Sequence, residues 1–481
     1  MSTWKRLLAL LFAFSLVAAA CGGSDEASDG AGTDDGTTAS DDGEAPSDDG
    51  EASDDGEMPA EVLTDYGVTD DTIRIGLSPD LSGRFAGLTT PLTEAQKVYW
   101  EKVNAEGGIA GREVELVIID NAYDVTLTIE NYAQLAEESD EGVVLISQVT
   151  GSPHNSAIAQ DAIRDNMVVV PLSWYSGWAD PEFGGAHFEL YANYCIESMN
   201  GVQFLADKVE AAGDTPKLAI IGYPGEYGQD GSAGAKLAAD ALGIEIVFDG
   251  EGQVPPGEDQ TGVISQLIAS GANMVWATMG PADLGAVFGG AAAQGFTAFW
   301  SGNSPSYSPA LLGSAAAPAL DAFYTHSTYS TLWDSNDSDG MQEMVAAMTE
   351  ARPNDLIQDV YVWGWTEGMF ARAVLEQAFA NGDATRAGMV AAANEVSVDF
   401  KGLAPDQDWT GDPNDYIIRE TYMYDVDLAA FNQVTMTEYA ALEDKSTAGS
   451  GFVAEEGYAP FVSEPAAAFE FTEPCFVSAE S

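Results

Sequence analysis

Seven short segments carry the side chains best suited to holding a small molecule: SPDLSGRFAG, DNAYD, QVTGSPHN, PLSWYSGW, GYPGEYGQDG, TMGPAD and SGNSPSYS. They are rich in Ser, Thr, Gly, Asn and aromatic residues. Small hydroxyls and free backbone amides suit a polar or carboxylated solute, and Phe85, Trp174, Tyr175 and Tyr227 can cover its apolar part. The polar candidates are Ser82, Thr150, Gly151, Ser152, Ser173, Thr278 and Asn303. Ordinary turn chemistry also favours Gly, Ser and Asn, so the reading depends on several of these segments facing one cleft.

The same sequence offers little to catalysis. GYPGEYGQDGSAGAK is glycine-rich but lacks the order of a phosphate loop, because Lys236 follows Ala235 and precedes Leu237. There is no G-x-S-x-G elbow, no H-E-x-x-H pair and no Cys/His nucleophile pattern. His154, His187 and His326 lie far apart, without the spacing of a metal site. The expectation is a binding protein rather than an enzyme, with no metal and no cofactor.

Elements that could position the seven segments follow from periodicity. TIRIGL reads as a buried strand, and TPLTEAQKVYWEKVNAEGG puts Leu92, Ala95, Tyr99 and Val103 on one helical face before stopping at Gly107 and Gly108. The strand EVELVIID, a helix near 126–138, GVVLIS, a helix near 154–164 and MVVVP complete a first half. After residue 195 the alternation restarts: a helix near 198–211, KLAIIGY, a helix near 230–241, IEIVFDG, a helix over 260–269, NMVWAT, a helix over 282–294 and AFWSG. Strands alternating with helices predict an α/β protein with two doubly wound parallel-sheet lobes. In such sheets ligands sit beyond the carboxyl ends of the strands, where the seven segments fall. Then the pattern breaks. YTHSTYSTLWDSND is loop-like, a long helix runs from about Leu356 to Ala380 and ends at Asn381-Gly382, and the remainder through YIIRETYMYDV is less regular.

The N-terminus has its own logic. Lys5 and Arg6 precede an apolar run from Leu7 to Ala20 that is too short to span a bilayer, which predicts a signal peptide over 1–20. Beyond Cys21 the chain is Gly, Ser, Ala, Asp and Glu to about Met58, a composition that cannot bury enough surface to fold and reads as a linker over 21–66, with an acidic interaction tail as the alternative. The sequence VAAAC at 17–21 resembles a bacterial lipobox, which implies that Cys21 is lipidated and anchors the protein to a membrane without crossing it. The formal net charge is −61, and the acids extend well past the linker. Such a surface excludes nucleic acid as a partner and suits a salty medium. The remaining Cys195 and Cys475 form an even pair in an exported chain, so a disulfide is expected, the alternative being two buried thiols.

IRIGLSPDLSG, VNAEGGIAGREVELVIIDNAYD and EYGQDGSAGAKLAADALGIEIV, in that order, resemble the substrate-binding lipoproteins of ABC importers, in particular the branched-chain amino-acid-binding, type I periplasmic-binding-protein group. The resemblance covers about 70–425. It implies two lobes joined by a multi-crossover hinge that closes on a solute: lobe 1 over 71–190 and 327–417, lobe 2 over 191–326 and 418–450, and a C-terminal tail over 451–481. It also implies a monomer that delivers its solute to permease subunits at the extracytoplasmic face of the membrane. The family's carboxylate grip maps onto Thr150, Gly151, Ser152, Ser173 and Tyr175, and its lobe 2 aromatic onto Tyr227. Where amino-acid binders place a glutamate for the ammonium, this chain has Asn303 and Ser304; a second lobe 2 tyrosine is missing near Met279, and Arg84 and Trp174 are unusual for their loops. An uncharged amide cannot neutralise a buried ammonium, so a plain leucine-type ligand fits less well, and the solute expected is a small polar organic molecule: an amino acid, an amide or a carboxylate. A ligand-sensing receptor of the same fold is the alternative.

Overall fold

Short, continuously apolar runs form the strands, as expected where helices cover both faces of a sheet. A computed structural model describes residues 62–445 and 448–477; Cys21, the signal segment and most of the linker lie outside them. In the first half, Thr72–Ser78 (β1), Glu113–Ile118 (β2), Leu145–Thr150 (β3) and Val169–Leu172 (β4) form a parallel sheet in the order β2-β1-β3-β4. Ala86–Ala105 (α1), Val125–Leu135 (α2) and Ser152–Arg164 (α3) connect them. The face predicted for α1 is the buried one: Leu92, Ala95, Tyr99 and Val103 all point inward.

The second half repeats the plan. Helix Tyr194–Ala211 (α4) leads to Lys217–Gly222 (β5), Glu245–Gly250 (β6), Met274–Thr278 (β7) and Phe299–Gly302 (β8), again parallel and in the order β6-β5-β7-β8. Glu226–Leu242 (α5), Thr261–Ser270 (α6) and Pro281–Ala293 (α7) pack between them. In each sheet the winding reverses between its first and third strands, and the loops after those two strands diverge to leave a crevice.

Past residue 324 the sequence reading and the structure part company. The segment read as loop contains Thr325–Thr328 (β9), fully buried, and is followed by an unforeseen helix, Asp339–Ala351 (α8). A signal for α8 is present: the Ser338 hydroxyl accepts from Met341 N, and Met341, Met344 and Met348 form one buried face. The long helix is Tyr361–Ala380 (α9), five residues shorter at its start than expected, because Leu356 is held in an antiparallel bridge with Thr435. The irregular remainder holds an 11-residue strand, Tyr422–Asn432 (β10), paired antiparallel with β9 and with Gly449–Ala454 (β11). Helices α8 and α9 return to pack on α1.

Helix α9 lies against α1 at glycine distance. A β-carbon on Gly364 would sit 1.9 Å from the Leu92 carbonyl oxygen. Two backbones in contact cannot yield as a side-chain tip can, so Gly364→Ala should destabilise by about 2–3 kcal/mol, read as a lower urea midpoint with unchanged slope. An unchanged midpoint would show that the helices are free to separate.

Cys195 on α4 and Cys475 are joined in a disulfide. The tail that carries Cys475 also touches the loop after β4: Cys475 N donates to Ser176 Oγ (2.8 Å) and Tyr175 OH donates to the Phe476 carbonyl (2.6 Å).

Candidate functional site

The loop after β1 is organised by one buried carboxylate. Asp80 accepts from the backbone N–H groups of Gly83 and Phe85, and its own carbonyl accepts the Thr89 hydroxyl. This folds SPDLSGRF back on itself and presents the Phe85 ring to the space between the lobes. Asp80 N also donates to Thr150 Oγ1 (3.2 Å), tying this loop to the end of β3.

At that end the chain turns into α3 through Gly151, whose φ of +107° favours glycine; a β-carbon there would meet the His154 ring at 2.2 Å. Gly151 provides no side-chain cap and Pro153 has no N–H, so the first turn keeps its remaining amides available. Ser173 donates to Ser152 Oγ (2.7 Å) and is itself held by Trp178 Nε1 (3.2 Å).

These groups form one end of a cavity that spans about 410 Å³ with the open space at its mouth included. Thr89, Thr150, Gly151 and Ser152 supply its polar end, and Leu88, Leu92, Leu172 and Pro305 much of its aliphatic wall. Aromatic rings supply the rest. Tyr227 stands 4.7 Å from Tyr194 and reaches across the gap to Phe85 at 6.3 Å, while Trp174 packs 5.2 Å from Trp363. Tyr123 closes one side, 4.8 Å from Phe85, with the Arg84 guanidinium over its ring at 5.5 Å. Among the described residues no Asp, Glu, Lys or Arg lines the cavity. His154, behind Gly151, is pushed down to about 4 by burial and is neutral at pH 7. The site can enclose and orient a molecule, and none of its lining side chains pairs a nucleophile with a base.

Six residues singled out from the sequence meet here: Phe85, Thr150, Gly151, Ser152, Trp174 and Tyr227. Five others lie off the cavity wall. Ser82 is exposed and donates to Asp120 Oδ2 (2.6 Å), bracing its loop. Ser173 sits one hydrogen bond behind Ser152. Tyr175 turns away, its ring against Trp178 and Phe183 and its hydroxyl on the tail. Thr278 donates to Asn303 Oδ1 (2.6 Å), and Asn303 Nδ2 donates to Glu197 Oε2 (2.8 Å) and to the Tyr194 carbonyl (3.1 Å). The physical reason is Glu197, a fully buried carboxylate that also takes Ser304 N and the Ser327 hydroxyl. A buried charge needs donors, and the amide at 303 serves it. Sequence reasoning missed Tyr123, Tyr194 and Trp363 as lining residues; the last belongs to a helix that reads as ordinary core.

A third buried carboxylate joins the two halves. Asp230 on α5 accepts the Ser176 N–H (3.0 Å) and hydroxyl (2.5 Å) from the loop after β4. Burial pushes Glu197, Asp230 and Asp359 up to about 7. In the unfolded chain such groups lose their protons near 4, so between about 4 and 7 the folded state holds protons that the unfolded state has lost. Stability should therefore be highest toward the acid end of that window and fall as pH rises through it. The melting temperature at about pH 5 is expected to exceed that at about pH 8, with a smaller gap in Asp230→Asn; a melting temperature that climbs over this range would contradict the assignment.

Residues 72–432 match the family model described as periplasmic binding protein. The chain belongs to that family. Among solved structures, a fatty acid ABC transporter substrate-binding protein from Thermomonospora curvata is 28% identical, with a TM-score of 0.73 over 85% of this chain and 97% of that one. A branched-chain amino acid ABC transporter protein from Thermus thermophilus with bound valine has the same fold at 16% identity, TM-score 0.68, covering 83% and 98%. A branched-chain amino acid substrate-binding protein from Streptococcus pneumoniae, in complex with isoleucine, matches at 13% identity, TM-score 0.60, covering 74% and 96%. No curated protein matches the sequence. This periplasmic binding protein thus has the two-lobed fold of solute carriers, and its cavity occupies the crevice at the strand ends. Among the described residues no helix is long and apolar enough to cross a membrane, and no group of His, Cys, Asp and Glu is placed to hold a metal ion.

Proposed function

We propose that this periplasmic binding protein captures a small carboxylate with an apolar body, a short- to medium-chain fatty acid, and delivers it to an ABC import permease. The observation that carries the reading is the cavity's composition: an aromatic and aliphatic barrel with an uncharged hydroxyl-and-amide end and no acid to receive an ammonium. The carboxylate would lie at Thr150, Ser152 and the first turn of α3, where hydroxyls and helix amides favour an anion. The acyl chain would lie among Phe85, Leu92, Trp174 and Tyr227. The 28% identical fatty acid carrier from Thermomonospora curvata supports the same class. Asn303, committed to Glu197, is in no position to replace the missing ammonium partner.

The protein would act as a monomer, closing when contacts from both lobes are satisfied by one molecule. A lipid on Cys21 and the acidic linker would keep it near its permease by raising effective concentration. The test is a thermal-shift series with straight-chain carboxylates, the matching primary alcohols, leucine and valine. Carboxylates should raise the melting temperature more as the chain lengthens, up to the size the cavity accepts, while alcohols shift it less and the amino acids not at all. A strong shift by leucine or valine, with none by any carboxylate, would refute the reading.

A further inference from the structure

A second cavity, of about 960 Å³ including its open mouth, lies apart from the interlobe crevice and shares no lining residue with it. It is formed where the segment between β4 and α4 meets the segment over 394–417. Its walls are aromatic: Trp178, Phe188, Trp409 and Tyr416. Two polar side chains in it are unsatisfied. His187, only 5% exposed, is stacked on Trp178 at 4.6 Å with neither ring nitrogen partnered, and the buried Oε1 of Glu189 has no hydrogen-bond partner among the described residues. The surrounding donors are already committed to the backbone of Glu189: Gln407 Nε2 and Trp409 Nε1 both donate to its carbonyl (3.1 Å each).

A buried carboxyl oxygen left without a donor costs free energy unless something completes it. The charges around it decide what. Asp412 lines the same cavity, no Lys or Arg among the described residues does, and the ring hydroxyl of Tyr416 is held up to about 12 by burial and then by Glu189, Asp180 and Asp412. Among the described lining residues no cation is present to receive an anion, and Asp412 repels one. A neutral solute would leave the acidity unused. Aromatic faces beside a carboxylate are the usual surroundings of an alkylammonium group, whose N–H donors meet the oxygen while its carbons and charge lie over the rings.

We propose that this cavity is a second binding site, for a small organic ammonium ion whose charge is met by Glu189 and whose apolar part packs against Trp178, Trp409 and Tyr416. Burial, with the Asp230 charge as the lesser cause, holds the Glu189 carboxyl well above its usual range, and burial brings His187 down to about 3. The empty site therefore holds a proton on Glu189 and a neutral imidazole. Entry of an ammonium ion converts the carboxyl to carboxylate, and that proton leaves to solvent.

Titration calorimetry on the full chain with benzylammonium, benzyl alcohol and benzoate tests this. Benzylammonium should bind at one site per chain with proton release, read from heats in two buffers of different ionisation enthalpy. Benzyl alcohol should bind at least about tenfold more weakly, and any benzoate heat, which the interlobe crevice can produce, should be lost in Tyr227→Ala and kept in Glu189→Gln. Glu189→Gln, which keeps the shape of the neutral acid, should weaken benzylammonium about tenfold or more and abolish proton release, whereas Tyr227→Ala, in the other cavity, should change neither. The proposal is overturned if no saturable binding is seen into the millimolar range, if benzyl alcohol binds as tightly, or if Tyr227→Ala removes the binding and Glu189→Gln does not.

Discussion

Replacing Tyr227 with alanine should lower affinity for a medium-chain carboxylate by about 100-fold, the largest effect expected of any single change in the crevice. Tyr227 is fully enclosed, it touches Tyr194 in its own half, and it is the ring that meets Phe85 across the gap. Its loss removes apolar contact with the solute and also part of the surface that makes the closed form favourable. An aromatic anchor at the centre of a desolvated site is commonly worth about 2–4 kcal/mol. Tyr227→Phe should retain most of the affinity, because the hydroxyl serves the fold by bonding to the Met279 carbonyl and Ser306 (3.1 Å each) rather than facing the solute. Calorimetric titration with octanoate separates the two variants. Equal affinity in wild type and Tyr227→Ala would place the solute elsewhere.

Removing the disulfide should have the largest effect on stability. Cys195→Ser opens a loop of sequence separation 280, for which the chain-entropy estimate is about 5.6 kcal/mol, and a loss of about 2–5 kcal/mol is expected. The bond also fixes the tail against both halves at once, since Cys475 N and the Phe476 carbonyl engage Ser176 and Tyr175 beyond β4 while Cys195 belongs to α4. Ser176 in turn donates to Asp230 on α5. Reduction should therefore release the tail and loosen a contact between the halves. The urea midpoint of Cys195→Ser should fall and match that of reduced wild type; an unchanged midpoint would show that the tail is held without the bond.

The two wound halves were legible because a strand buried on both faces is a plain apolar run, as in VVLIS and NMVWAT, and because α1 shows one clean face. Strand β10 was not, since it is buried at Tyr422, Met423 and Tyr424 but half-exposed further on, and its acids at 425 and 427 break the apolar run. Helix α8 was lost among methionines and acids, although its cap at Ser338 and its Met341–Met344–Met348 face were available. In the site, residues at strand ends such as Thr150, Gly151 and Trp174 could be found from position alone. Leu92 and Trp363 could not, because a crevice wall built on a helix has the pattern of core. Asn303 misled for a different reason: its partner, Glu197, lies 106 residues away in sequence, and only the fold shows that the amide serves a buried carboxylate rather than a solute.

Closure of the two lobes on one carboxylate can be measured directly as a distance between spin labels at Glu130→Cys on α2 and Glu258→Cys beyond β6, both exposed positions, in a Cys21→Ser background. Saturating octanoate should shift the distribution to a shorter, narrower distance, while leucine leaves it where it was. A distribution that octanoate does not move, or that leucine narrows instead, would contradict capture of a fatty carboxylate between the lobes.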